Sequence, residues 1–546
     1  MPEDARSAPS VKQEPAVLET DVPLSQSVIW RLQRDFYARR GLKAWTEDLV
    51  PSYITNNPFI AEIYAGIVAG FLDDCMQPEQ GQPRPLSAEN PLRILELGAG
   101  TGKFSYLFLR KLTTLLRAGK IPPQIVRYSM ADCSEDLIAE WRANRYLAEF
   151  VDSGILEFEL LPAAEENKSP NAGADAPQSV KPSSGPLVVI ANYVFDSLPQ
   201  DAFIVADGKI SEALVTTTSG SAAGRSGAGE SPSLSGLQLS FKNTAVSPQR
   251  YSDNSSNGIL DQYRLRLPAA TVLLPSAALA LLQQLGQSSD GRMLVLAADK
   301  GVTHEEDLAL CQGPPTLEFH ASSHCFSQIV NFDAIAKHFA GIGGLALVPA
   351  KHFTGLSICA FLERRPGDEF PATQKTYDEA LAAFGPDDLF ALMTWLNAHL
   401  EEVSISQALS LLRLTRWDTT AFLRLFPVIA RQLRNITGAR TDLRHAVLNI
   451  WANHYPVTPA ENVLAFNCGV ILLELRFFGD AQGMFQTSEQ FFGRSAATSY
   501  NLGLCAMGLG RAGEALAFMT DACTQDPAFE PARAARAKLE RGNTPT

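Results

Sequence analysis

The chain has 546 residues, 46% of them hydrophobic, with a mean hydropathy of −0.03 and a formal net charge of −13. That length is too great for one ordinary core and predicts two or more domains of a soluble, globular protein. The acidic balance argues against a general nucleic-acid binder, which needs a basic face. No run of about 18 apolar residues exists to span a membrane.

Eight cysteines are scattered, from Cys75 to Cys523, and none has the C-x-x-C spacing of a zinc or redox site. That usage predicts a reducing, cytoplasmic setting and no metal centre. The amino-terminal stretch "MPEDARSAPSVKQEPAVLETDVP" has acids and prolines but no apolar core, so it reads as a disordered tail over 1–24 and not as a signal peptide. A helical stretch, "QSVIWRLQRDFYARR", follows. In "YITNNPFIAEIYAGIVAGFL", Asn57 is suited to cap a helix that Pro58 begins, and Ile60, Ile63, Tyr64, Ile67, Val68 and Phe71 share one face of it.

From residue 92 to about 363, short apolar runs alternate with helical patterns. The runs "RILELGA", "RYSMAD", "ILEFELL", "LVVIAN", "RMLVLAAD", "GLALVPA" and "LSICAFLE" each read as a strand. This alternation predicts an α/β fold, a largely parallel sheet with helices on both faces. Two stretches rich in Ser, Gly, Ala and Pro, about 166–185 and 217–258, read as surface-loop inserts. Residues 366–375 read as a linker, and 376–540 as helices only. There "NCGVILLELRFFGDAQGMF" aligns with "NLGLCAMGLGRAGEALAFM" at an offset of 34, pairing Asn467 with Asn501, Gly469 with Gly503, Leu475 with Leu509 and Ala481 with Ala515. A period of 34 with small residues where paired helices cross resembles the tetratricopeptide repeat. It implies a protein or peptide partner held by the carboxyl-terminal helices.

The segment "LRILELGAGTGKFSYLFLRKL" has a strand, a glycine turn and a helix. It is not a P-loop, because Leu97 stands where the first glycine should and Phe104 where Ser or Thr should. Nor is it G-x-G-x-x-G, because Lys103 takes the third glycine's place. The pattern E-x-G-x-G-x-G, Glu96 to Gly102, resembles motif I of class I S-adenosylmethionine-dependent methyltransferases. Glycines there let the backbone approach a ligand without Cβ clashes. About 30 residues on, the next strand ends in Asp132, an acid able to accept both hydroxyls of a ribose.

A closer resemblance, to the MidA-type family of these enzymes, covers roughly residues 30–365. "IANYVFDSLPQDAF" resembles its N-E-x-F-D-A-L-P signature, and "SYITNNPFIAEIYAGIVAGFL", "MADCSEDLIAEW" and "PTLEFHASSHCFSQIVNFDAIAKHF" match other segments in the same order. The family includes a mitochondrial enzyme that methylates arginine in a protein. The resemblance implies a Rossmann-like class I methyltransferase domain over 25–365. It implies S-adenosyl-L-methionine as cofactor, leaving as S-adenosyl-L-homocysteine, held by Thr55, Glu96, Gly98, Ala99, Gly100, Thr101, Gly102, Asp132, Cys133 and Asn192. On the acceptor side it places Asn192, Tyr193, Asp196 and His324. Asp196 is either an acid that orients the nucleophile or a cap of its loop; Tyr193 is packing or a substrate contact; His324 is a general base or a structural histidine. The sequence departs from the family at Tyr193, where it has glutamate, and at Ser52, Lys300 and Asn331. Without that glutamate, arginine need not be the acceptor. Three activities stay open: methylation of a protein or peptide, methylation of a small molecule, or a cofactor-binding scaffold acting through its helices.

Overall fold

The computed structural model describes residues 16–41, 43, 53–77, 86–161, 185–219, 234–320, 325–351, 355–382, 384–435 and 438–542. These divide into two compact units. The first contains nearly everything through Asp387, and the second contains Asp388 onwards together with 56–62 and 106–108. No helix among the described residues is long and apolar enough to cross a membrane.

The described residues of the first unit form a seven-stranded main sheet, a second sheet of five strands and two two-stranded pairs. A strand, β1 (Ala16–Val22), opens the chain. The main sheet then takes β2 (Leu92–Leu97), β3 (Val126–Asp132), β4 (Leu156–Leu160) and β5 (Leu187–Asn192). After β5 the chain leaves to make β6 (Asp201–Ala206), β7 (Lys209–Ser219), β8 (Leu237–Ala245) and β9 (Ala269–Leu274). It returns as β10 (Met293–Asp299), makes the short pieces β11 (Gly301–Val302), β12 (Glu318–His320), β13 (Cys325–Ser327) and β14 (Val330–Asn331), and ends with β15 (Leu345–Leu347) and β16 (Ser357–Glu363).

The main sheet has the order β15-β16-β10-β5-β2-β3-β4. Strands β4, β3, β2, β5 and β10 are parallel, and β16 runs against both β10 and β15. Side chains along β2, β3, β5 and β10 are almost all buried, so these strands read as unbroken apolar runs and not as alternating ones. From β2 the chain steps outward to β3 and β4; from β5 it steps outward the other way to β10. Crossovers between parallel strands are right-handed, so the two directions put their helices on opposite faces. The order therefore reverses between β2 and β5, and a crevice opens at their carboxyl ends, where Leu97 pairs with Ala191.

Two expectations are corrected here. Ala16–Val22 is a strand paired with β7, within a stretch expected to be a disordered tail. The 217–258 insert is largely ordered too: β7 runs to Ser219, β8 pairs with it along its whole length, and Asn254–Arg266 is a helix. The physical reason is the period. "LQLSFKN" alternates apolar and polar side chains, which a sheet with one wet face requires, whereas β1 is placed by its pairing with β7. Residues 162–184, most of the other insert, lie outside the described residues.

The expected linker at 366–375 is also corrected. A helix, Pro371–Leu381, begins within it and is tied to the first unit. Helix α1 spans Val28–Arg40 and α2 spans Pro58–Cys75. The Asp74 carboxylate near the end of α2 accepts the backbone N–H groups of Ala372 and Thr373 and the Thr373 hydroxyl. Phe370 stacks on Phe71 with ring centres 5.3 Å apart, and the Tyr377 hydroxyl donates to the Ile358 carbonyl at 2.7 Å. A chain cut after Asp387 should therefore be more stable than one cut after Arg365, by about 2–4 kcal/mol for the lost buried aromatics and orphaned polar groups. Urea unfolding of the two fragments checks this.

In the second unit the period of 34 becomes geometry. Helices Val463–Glu474, Phe478–Phe492, Ala496–Gly508, Ala512–Gln525 and Glu530–Gly542 follow one another. A Cβ on Gly469 would lie 2.8 Å from the Phe485 ring, and one on Gly503 would lie 2.7 Å from Met519. Both glycine and partner repeat at the offset of 34. The glycines are there so that paired helices can approach closely.

Candidate active site

The glycine turn joins β2 to the helix Lys103–Ala118, here α3. Gly98, Gly100 and Gly102 have φ of 65°, 53° and 77°, a region that side chains disfavour. A Cβ at Gly98 would meet only Val194, at 3.6 Å, so backbone conformation and not space requires glycine there. The Gly98 and Ala99 N–H groups donate to the Ala131 carbonyl at 2.9 and 3.2 Å. Trp141 Nε1 donates to the Gly100 carbonyl at 2.9 Å. Thr101 is buried, and its hydroxyl accepts the Lys103 N–H at 3.3 Å.

Asp132 ends β3 beside this turn. Its carboxylate accepts the Ser134 N–H at 3.3 Å and also the Gly100 and Cys133 N–H groups. Burial raises its pKa, and those three N–H groups oppose the shift. The turn and the acid are thus one hydrogen-bonded unit. Cys133, the next residue, is exposed, while Thr55 is buried in the turn before α2. Glu96, expected among the cofactor-holding residues, is bonded within the protein through one of its oxygens. Its Oε2 accepts the hydroxyls of Ser105 and of Tyr128, the latter at 2.6 Å. It is buried, which pushes its pKa up to about 7 despite those hydroxyls. Glu96 therefore braces α3 against β3 from beneath the turn.

Across the crevice, β5 ends in Asn192. The Tyr64 hydroxyl of α2 donates to Asn192 Oδ1 at 2.7 Å, while Asn192 Nδ2 is buried and meets no hydrogen-bond partner. A buried, unpaired donor costs about 1–3 kcal/mol, so it signals a ligand or water in the complete site. Tyr193 follows with φ of 52°, rare for a bulky residue and typical of strained functional loops. Its N–H is fixed on the Ala298 carbonyl at 2.9 Å. Burial raises its phenol pKa, with the Asp299 and Asp196 carboxylates adding to the shift.

Asp196 lies one turn further on, and Asp299, which ends β10, lies next to it. The Asp196 N–H donates to Asp299 Oδ2 at 3.0 Å, and the Lys300 N–H to Asp299 Oδ1 at 2.9 Å. Burial pushes Asp196 up to about 6, and pushes Asp299 well up with help from Asp196. Sequence reasoning missed Asp299, although "LVLAAD" ends in an acid just as "RYSMAD" does. It also read Tyr64 as core alone. His324 lies outside the described residues. Among the described residues no three His, Cys, Asp or Glu side chains gather as a metal would need.

The Asp196 shift has a sign that can be checked. The folded pKa lies above the unfolded value of about 3.9. The favourable contribution is therefore complete below about pH 4 and is lost as the pH rises through about 6. Asp196→Asn cannot ionise. It should be more stable than the wild type by about 1–2 kcal/mol near pH 8, with the gain gone near pH 4. Thermal melting at both pH values tests this.

A reversed sheet order, a glycine turn bonded to an acid, and an unpaired donor across the crevice define the crevice of a Rossmann-like, class I methyltransferase domain. Residues 75–324, a little under half of the chain, match the family model described as "Putative S-adenosyl-L-methionine-dependent methyltransferase". Two solved structures from Burkholderia thailandensis resemble the chain. One is an uncharacterised protein, at 16% identity and a TM-score of 0.39, covering 64% of this chain and 89% of its own. The other is bound to S-adenosyl-homocysteine, at 15% identity and a TM-score of 0.39, covering 64% and 90%. The CMeT domain of a citrinin polyketide synthase resembles it at 13% identity and a TM-score of 0.22, covering 52% and 48%. No curated protein sequence matches the chain.

The cofactor of this family is S-adenosyl-L-methionine, and the crevice suits it: three positive-φ glycines leave the backbone bare, and Asp132 stands at the next strand end.

Proposed function

We propose that the chain transfers a methyl group from S-adenosyl-L-methionine to a protein or peptide, as a MidA-type enzyme with a tetratricopeptide-like unit for its partner. Bound, the cofactor supplies a methyl group on a sulfonium, which departs as a neutral thioether. The protein's task is then mainly alignment. The glycine turn and Asp132 hold the carrier. Asn192, its amide fixed by Tyr64, donates Nδ2 into the crevice. Asp196, with Asp299 behind it, accepts a proton from the acceptor or orients its nucleophile. The unpaired Asn192 donor carries this reading of the crevice, and the 34-residue repeat supports a macromolecular acceptor.

Arginine is not the acceptor we favour. The family's glutamate is Tyr193 here, and its strained backbone and fixed N–H anchor the ring where a carboxylate would grip a guanidinium. Incubating the full chain with labelled methyl donor and cell extract tests the proposal. Label should enter protein or peptide. Label confined to small molecules would favour that substrate class, and no label at all would favour a cofactor-binding scaffold.

A further inference from the structure

Eight buried side-chain nitrogen or oxygen atoms among the described residues meet no hydrogen-bond partner, and six of them belong to Gln33, Asn192, Gln200 and Gln328. These four sit at the same end of the main sheet. Gln200 closes the loop that leaves β5 at Asn192. Gln328 lies two residues before Val330, whose N–H donates to the Lys300 carbonyl just past the end of β10. Gln33 Oε1 accepts the Phe326 N–H at 3.1 Å, which ties α1 to β13. Trp30 packs edge-on against Phe326 at 5.0 Å, within a core that also holds Ala202. One turn along α1, the Tyr37 hydroxyl is bonded to Cys325 and lies within electrostatic reach of Asp196. Gln33 and Gln328 lie outside 75–324, whereas Asn192 and Gln200 lie within it.

Gln200 is 0% exposed, and Gln33 and Gln328 are 2% exposed. Both amide atoms of Gln200 and of Gln328 are unpaired. A buried amide costs free energy unless it is satisfied, and it offers both a donor and an acceptor. An anion would use only the donors, beside the unwelcome carboxylates of Asp196 and Asp299. A guanidinium would use only the acceptors. An amide uses both.

We propose that Gln33, Gln200 and Gln328 form the lining of an acceptor pocket covered by α1 and β13, which takes an uncharged amide group of the substrate, either a peptide main chain or a side-chain carboxamide. This rests on the methyltransferase reading above and narrows its acceptor. The amides are closed off beneath α1 and β13, so that cover must move aside for an acceptor to reach them.

The test uses the full chain saturated with S-adenosyl-homocysteine and three probes followed by saturation-transfer NMR: N-acetylglycine N-methylamide, propionamide and acetate. At least one amide probe should bind and acetate should not. Binding of the first points to a main-chain group, and of propionamide alone to a carboxamide. Gln200→Met and Gln328→Met should each weaken amide binding by about tenfold. Both should melt no lower than wild type, because each removes an unpaired buried amide; a merely structural glutamine would show the reverse. The Leu variants serve as second substitutions. Failure of both amide probes to bind the loaded chain overturns the proposal, as does equal binding by the Met variants, which would assign the amides to buried water. If S-adenosyl-homocysteine itself does not bind, the methyltransferase reading fails first and takes this inference with it.

Discussion

Asp132→Ala should lower the affinity for S-adenosyl-homocysteine by about 1.5–3 kcal/mol, or roughly 10- to 150-fold. The argument is twofold. Asp132 stands where it can accept the ribose hydroxyls, a charge-assisted contact stronger than a neutral one. It also holds the glycine turn, because its carboxylate accepts the Gly100 N–H. Alanine removes both effects, whereas Asp132→Asn keeps a carbonyl oxygen for the turn and loses only the charge. The loss for asparagine should therefore be the smaller. Calorimetric titration of the three proteins decides. Unchanged affinity in Asp132→Ala would make the acid a cap of its own turn and nothing more.

The second large effect falls on turnover and not on affinity. Asn192→Ala and Asp196→Ala should cut the rate of label transfer by about 100-fold or more, with cofactor affinity held within a few fold. In the function proposed above, the two sides of the crevice have separate tasks: β2 and β3 would hold the carrier, and the β5 loop would align the acceptor in the transition state. Tyr193→Glu sharpens this. It restores the family's carboxylate, yet the backbone stays at its strained φ and Asn192 stays tied to Tyr64. The substitution alone should not confer arginine methylation. Mass spectrometry of the methylated products checks it, and robust arginine methylation by the wild type would show that Tyr193 is no obstacle.

The seven strands of the main sheet were all legible as apolar runs, because most are buried on both faces and no alternation blurs them. The second sheet was not. β1 lies in an acidic, proline-flanked tail, and β7 and β8 carry Thr, Ser and Lys on a wet face, so their period of two was masked by polar composition. The helix at Pro371 was missed because "PGDEFPATQ" looks like linker, and only its contacts with Asp74 and Phe71, some 300 residues earlier, give it a place.

At the site, the glycine turn and Asp132 were legible because they are local and ordered. Glu96 was legible as a motif residue but not as a brace, since its partners Ser105 and Tyr128 come from two other elements. Tyr64 looked like any amphipathic core residue on an apolar helix face; its hydroxyl has a function only because Asn192 stands opposite. Gln33, Gln200 and Gln328 have no motif at all. They are recognisable only by what their amides lack, and that is a property of the folded chain.

The most direct measurement is a calorimetric titration of the full-length protein with S-adenosyl-homocysteine. One site with a dissociation constant in the micromolar range is the expected result, about −8 kcal/mol. A folded chain that takes up no ligand at millimolar concentration would contradict the methyltransferase account at its base.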